Sequence, residues 1–152
     1  MNSEPSSLNT RPEPEQAIER YNNALLQKPD SPEILAGLAE AYKNQHKFNE
    51  AAAAGIKALK LDPKNTRIML LLGNIYTEQN QCETAGSFYR MALTVDPDFV
   101  NAHIGLGLML HQQGKTAEAR SHFRTALKLD PENLPAKLRN CMIQIPLIHR
   151  ST

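Results

Sequence analysis

Five histidines and two cysteines are the side chains of this 152-residue sequence best suited to metal or nucleophile chemistry. Their spacing argues against both. His103 and His111 fall on one expected helix, but 111 − 103 = 8 positions apart, about two turns. Two ligands on one helix face would sit four apart. No Cys-x-x-Cys or His-x-x-x-His occurs, and His103 reads as a packed side chain rather than a base. Cys82 and Cys141 stand far apart in sequence, in separate expected helices. They read as buried thiols of a reducing compartment, not as a disulfide framework. No serine or cysteine lies in a nucleophile motif, and Gly105-Leu106-Gly107 is a helix-packing step rather than a phosphate loop. No catalytic residue, metal or cofactor is assigned, and the sequence is expected to bind rather than catalyse.

The elements that carry these residues are set by a repeat. Pro63, Pro97 and Pro131 recur every 34 residues (97 − 63 and 131 − 97), and one further step back meets Pro29. The residues before them repeat as well: Ala-Leu-Lys-Leu-Asp-Pro at 58–63, Ala-Leu-Thr-Val-Asp-Pro at 92–97, Ala-Leu-Lys-Leu-Asp-Pro at 126–131. A period of this length marks stacked helix pairs, each burying its apolar face only against its neighbours. Three units are expected near 32–65, 66–99 and 100–133. Their first helices fall near 32–45, 66–79 and 100–113, and their second near 48–61, 82–95 and 116–129. Short polar turns join each pair: Asn44-Gln45-His46-Lys47, Gln79-Asn80-Gln81 and Gln113-Gly114-Lys115. Between pairs, Asp-Pro stops the second helix because the residue before proline is driven out of the helical region. Ser31 and Asn65 then offer capping side chains to the next helix.

The ends differ from the units. Residues 1–13, with Pro5, Pro12 and little to bury, are expected to be a disordered lead-in. Pro14 opens a helix to about Gln27 whose Ala17, Tyr21, Ala24 and Leu25 share one face, and Lys28-Pro29-Asp30 stops it. At the other end Leu134, Leu138, Cys141 or Met142, and Ile145 make a capping helix over 134–145, closed by Pro146 and followed by a tail at 146–152. Composition allows a single ordinary soluble domain, 41% hydrophobic and 22% charged. A net charge of +1 with interspersed signs gives no case for nucleic acid or an anionic membrane surface. No apolar run reaches the roughly 20 residues of a membrane span. Met1-Asn2-Ser3-Glu4 has neither the basic nor the apolar region of a secretory signal, so a cytoplasmic location is expected.

The pattern resembles the tetratricopeptide repeat family over about 14–145. First helices of that family carry a bulky residue, a Leu-Gly or Leu-Ala step and an aromatic. Leu35, Leu38-Ala39 and Tyr42 match, as do Met69, Leu72-Gly73 and Tyr76, while the third unit offers His103, Leu106-Gly107 and Leu110. Second helices carry small, ring, small and proline: Ala85, Tyr89, Ala92, Pro97 and Ala119, Phe123, Ala126, Pro131. Gly55 replaces the ring between Ala51 and Ala58, and residues 14–27 fit a lone second helix through Ala17, Tyr21, Ala24 and Pro29. The resemblance implies an all-α, right-handed helix-pair solenoid of three units with an N-terminal half unit and a C-terminal cap.

The resemblance also implies a site. First helices of the family line a concave groove that holds a protein or peptide ligand. Here they would present Glu33, Glu40 and Lys43; then Arg67, Leu70, Leu71, Asn74 and Glu78; then Asn101, Ile104, Leu108 and His111. The apolar centre of Leu70, Leu71, Ile104 and Leu108 is either the groove floor or part of the packing, since rotation by one residue would bury two of the four. If exposed, it would be covered by a partner, by residues 1–13, or by self-association of two chains. Family members that hold Hsp70 or Hsp90 carboxylate tails use Lys, Arg and Asn. Ala36, Glu40, Leu71, Asn101 and Gly105 stand at those places, so such a tail is not the expected ligand. The expected role is therefore a protein-binding scaffold or adaptor.

A shorter resemblance covers residues 139–149, Arg-Asn-Cys-Met-Ile-Gln-Ile-Pro-Leu-Ile-His. They look like the junction between repeats and catalytic region in SPINDLY-type O-linked sugar transferases. The alternative this implies is a substrate-recognition arm of an O-linked N-acetylglucosamine transferase, without its catalytic domain. Gly37, Leu71 and Gly105 occupy the places of the asparagine ladder of those enzymes.

Overall fold

The computed structural model describes residues 13–132, and all of their regular structure is helical. Seven helices follow one another: α1 (Pro14–Gln27), α2 (Pro32–Asn44), α3 (Phe48–Leu61), α4 (Thr66–Glu78), α5 (Cys82–Val95), α6 (Val100–Gln112) and α7 (Thr116–Leu129). They match the first and second helices expected from the period to within a residue or two. The expected capping helix at 134–145, the tail, and all but Glu13 of the lead-in lie outside the described residues.

Local chemistry sets the ends. Pro14 and Pro32 occupy the first turns of α1 and α2, where a backbone N–H would have no helical partner. The Ser31 hydroxyl accepts from the Ile34 amide, and Asn65 Oδ1 accepts from the amides of Arg67 and Ile68 at 3.1 and 3.2 Å. No such side-chain cap precedes α6, which follows Phe99. Each second helix closes on an aspartate. The amides of Asp62, Asp96 and Asp130 donate to the carbonyls of Ala58, Ala92 and Ala126, and the following proline stops further propagation.

The turns inside the pairs share one device. His46, Asn80 and Gly114 all take positive φ, 58°, 58° and 77°. The amides of residues 46 and 47 donate back to the carbonyls of Lys43 and Tyr42, and the same pattern recurs at 80 and 81 and at 114 and 115. This is the Schellman closure, in which a left-handed residue turns the chain and satisfies the last carbonyls of the helix. Glycine and asparagine suit that conformation; histidine adopts it at a cost.

The described chain divides into two compact units, split after Pro63. In the first, α2 packs against α1 and α3. Its buried side chains are Leu35, Leu38 and a series of alanines, among them Ala39, Ala51 and Ala58 with no exposed surface. Small residues there let the helix backbones approach closely. In the second unit α4 pairs with α5 and α6 with α7, while α5 and α4 both pack on α6. Ala85, Ala92, Ala119 and Ala126 repeat the close-approach positions, and Tyr89 and Phe123 add buried rings. Tyr89 carries the ring of the second unit into a slot made of glycine. A Cβ on Gly73 of α4 would lie 2.4 Å from the ring, and one on Gly105 of α6 would lie 2.6 Å from it. Phe123 fills the equivalent notch at Gly107. Tyr76 and Phe88 stack beside this core, with centroids 5.5 Å apart.

Candidate functional site

An α-helix packed on one side leaves a polar stripe at every third or fourth residue. On α4 the stripe left over by Ile68, Met69, Leu72, Gly73 and Ile75 runs through Arg67, Leu70, Leu71, Asn74 and Glu78. Arg67 and Glu78 at its two ends are exposed; Leu70, Leu71 and Asn74 between them are half-buried. On α6, which packs against α4, Asn101 and His111 are exposed and Leu108 is half-buried. The expected residues of these two helices are thus brought together in one unit, with one exception.

The exception is Ile104. Its side chain is only 8% exposed and joins the core cluster of Tyr89, Leu106, Met109, Leu110 and Phe123. Position 105 explains why. Gly105 faces the Tyr89 ring, so this turn of α6 is rotated toward α5 and carries Ile104 into the core. Leu70 and Leu108 also lean on that cluster while keeping part of their surface in solvent. Of the apolar centre expected from the sequence, Ile104 is core, Leu70 and Leu108 straddle core and surface, and Leu71 is half-buried.

In the first unit α2 carries Glu33 and Glu40, both exposed, and Lys43, half-buried. Glu33 has local work. It accepts from the Ser31 hydroxyl at 2.8 Å, beside the first turn of α2. Hydrogen bonds from the backbone amide and from Ser31 hold its carboxyl below the usual carboxylate range. Its charge also suits the positive end of the helix.

Asn74 differs from its neighbours because its orientation is fixed from below. The Tyr89 hydroxyl, rising between α4 and α6, donates to Asn74 Oδ1 at 2.8 Å and lies 3.1 Å from Thr77 Oγ1. Thr77 shares its one proton between the Gly73 carbonyl, at 2.8 Å, and the Tyr89 oxygen. Burial, opposed by the Thr77 hydrogen bond and assisted by the charge of Glu78, raises the Tyr89 phenol above its ordinary value, so the hydroxyl remains a donor. With Oδ1 occupied, the amide of Asn74 keeps its two N–H donors for a ligand. The sequence reading put Asn74 among the groove residues and Tyr89 in the ring position, but nothing in their spacing of 15 residues announced that they would touch.

Among the described residues no group of three or more His, Cys, Asp or Glu side chains is placed to hold a metal. No helix among them is long and apolar enough to cross a membrane. Cys82 is a free thiol, half-buried at the start of α5. Cys141, His149 and the junction-like segment 139–149 lie outside the described residues.

Comparison with known proteins agrees with this architecture. Family models described as tetratricopeptide repeat match residues 13–54 and 100–133, and one described as TPR repeat matches 73–114. No curated protein matches the sequence. Among solved structures, a crystal structure of MamA superposes with a TM-score of 0.73 at 24% identity, over 78% of this chain and 69% of that one. The first repeat domain of Spaghetti (RPAP3), solved with the HSP90 peptide SRMEEVD, gives 0.68 at 21% identity, over 74% of this chain and 94% of that one. At such identities the likeness concerns the fold. With its 34-residue period, its helix pairs and three matching family models, the chain belongs to the tetratricopeptide repeat family.

Proposed function

We propose that this protein is an interaction scaffold that holds a peptide segment of its partner along the exposed stripe of α4 and α6. A repeat array of this family serves protein–protein contact, and the stripe supplies what a peptide needs. Arg67, Glu78, Asn101 and His111 offer polar contacts, while the half-exposed Leu70, Leu71 and Leu108 offer apolar ones. The observation that carries the reading is the pinned amide of Asn74. A side chain held from below loses little freedom on binding, so its two donors can meet peptide carbonyls at low entropic cost.

The HSP90 peptide in the Spaghetti structure ends in Glu-Glu-Val-Asp, with three carboxylate side chains in its last four residues. In this chain Ala36, Glu40, Leu71, Asn101 and Gly105 supply no cation at the places where tail-binding relatives hold a carboxylate, and Gly105 lies under the Tyr89 ring. The ligand is therefore read as a mixed polar and apolar segment rather than an acidic tail.

Selection of peptides from a displayed library against the purified chain would supply the probe, and titration would give its affinity. Asn74→Asp keeps the oxygen that Tyr89 bonds but removes the N–H donors. It is expected to leave the melting temperature unchanged and weaken the selected peptide about tenfold, the equivalent of ~1.4 kcal/mol. Asn101→Asp is expected to add to that loss, and SRMEEVD is expected not to bind. Full affinity in Asn74→Asp, or competition by SRMEEVD, would overturn the reading.

A further inference from the structure

One polar pair joins a buried histidine of α6 to a half-buried one of α7. His103 of α6 is 8% exposed, yet both of its ring nitrogens are engaged. Nε2 is 2.7 Å from the carbonyl oxygen of Pro97 in the loop before α6. Nδ1 is 3.0 Å from Nδ1 of His122, which projects from α7. The rings are tilted by 35°, with centroids 5.3 Å apart.

We propose that His103 and His122 form a one-proton clasp across the α6–α7 pair, closed at neutral pH and weakened in acid. The protons follow from the partners. A carbonyl only accepts, so Nε2 of His103 carries hydrogen and donates to Pro97. Neutral His103 then presents a bare Nδ1, and the bond between the rings requires His122 to donate from its own Nδ1. Both tautomers are fixed by one backbone oxygen.

A first added proton enters at Nε2 of His122, which leaves both hydrogen bonds intact. A second can enter only at Nδ1 of His103, where it would set N–H against N–H across 3.0 Å. The folded pair therefore keeps both hydrogen bonds with one added proton and loses the bond between the rings with two. Even the first is disfavoured. Burial, the neighbouring His103 and the guanidinium of Arg90 on α5 hold His122 below the usual histidine range, against the favourable charge of Glu118 on α7. In the unfolded chain both rings take protons near the ordinary value of about 6.5. The unfolded state thus binds more protons below that value, and stability falls as pH drops through it while remaining level above.

The test is a nitrogen-15 NMR titration of the imidazoles in the intact chain, from about pH 8 to about pH 5, bracketing the ordinary histidine value. The Nε2–H form of His103 and the Nδ1–H form of His122 are expected at the start. On acidification the two rings together should take up one proton while the protein stays folded. Opposite tautomers, or two independent titrations at ordinary midpoints, would overturn the clasp. His122→Asn supplies a second readout, because its amide nitrogen replaces the donor without titrating and can turn to accept. It should keep the neutral melting temperature and lose most of the acid-induced fall seen in the native chain. An undiminished fall would show that the pair does not set the pH response.

Discussion

Tyr21 and Tyr89 occupy equivalent places in the repeat, and the two units of the protein use them differently. In the second unit the Tyr89 ring is 2% exposed, caught between Gly73 and Gly105, with its hydroxyl bonded to Asn74. In the first unit the ring of Tyr21 covers Gly37 from one side and remains half-buried. The buried faces follow suit. α3 buries only alanines and Gly55, so the first unit gains its packing from close approach of backbones. The second gains it from rings seated in glycine notches. One repeat pattern thus tolerates two packing solutions, because either small residues or a ring with matching glycines can bring two helices to interior density. In the second unit the hydroxyl of the ring meets Asn74 beneath the exposed stripe and fixes its orientation.

The largest test of this contrast removes the rings. Tyr89→Ala should lose ~3–5 kcal/mol of stability, as large buried aromatics do. Tyr21→Ala should lose about 1–1.5 kcal/mol, in keeping with its partial burial. Urea unfolding of both variants decides it, and equal losses would erase the distinction between the units.

The notches come next. Gly105→Ala should cost ~1–3 kcal/mol by overpacking a ring that has nowhere to move, despite the better helix propensity of alanine. Gly86→Ala makes the control, since its Cβ would meet nothing nearer than the flexible Arg90 guanidinium at 3.5 Å. It should gain up to ~1 kcal/mol. A gain at both sites would mean that Tyr89 is not confined.

Tyr89→Phe isolates the hydroxyl. It should lose about 1 kcal/mol through the broken bonds to Asn74 and Thr77. It should also weaken any peptide held by Asn74, while retaining the thermal unfolding profile of an intact core. The smallest effect lies at the turns. His46 holds a left-handed conformation that glycine adopts without strain, so His46→Gly should gain somewhat less than ~1 kcal/mol. The edge contact of its ring with Phe48, at 5.7 Å, is lost in exchange. Gly114→Ala, at the corresponding turn of the second unit, should lose ~1 kcal/mol. Calorimetric melting temperatures of the two variants should move in opposite directions.

The sequence by itself determined the helices, their order and their ends. Prolines after aspartate, capping residues before first turns and the 34-residue period act over a few bonds, and such short-range chemistry reads directly from neighbours in the chain. The resemblance to the repeat family marked Ala85, Ala92, Ala119 and Ala126 as the small positions and Tyr89 and Phe123 as the rings, and all six are buried. Tertiary structure decided the rotation of α6, which took Ile104 into the core and left Leu108 between core and solvent. It decided that Asn74 would be pinned by a tyrosine 15 residues away and that His103 would meet His122 rather than His111. These depend on how far one helix turns against another. A turn of one residue is about 100°, a choice made by the packed neighbours and invisible in local spacing.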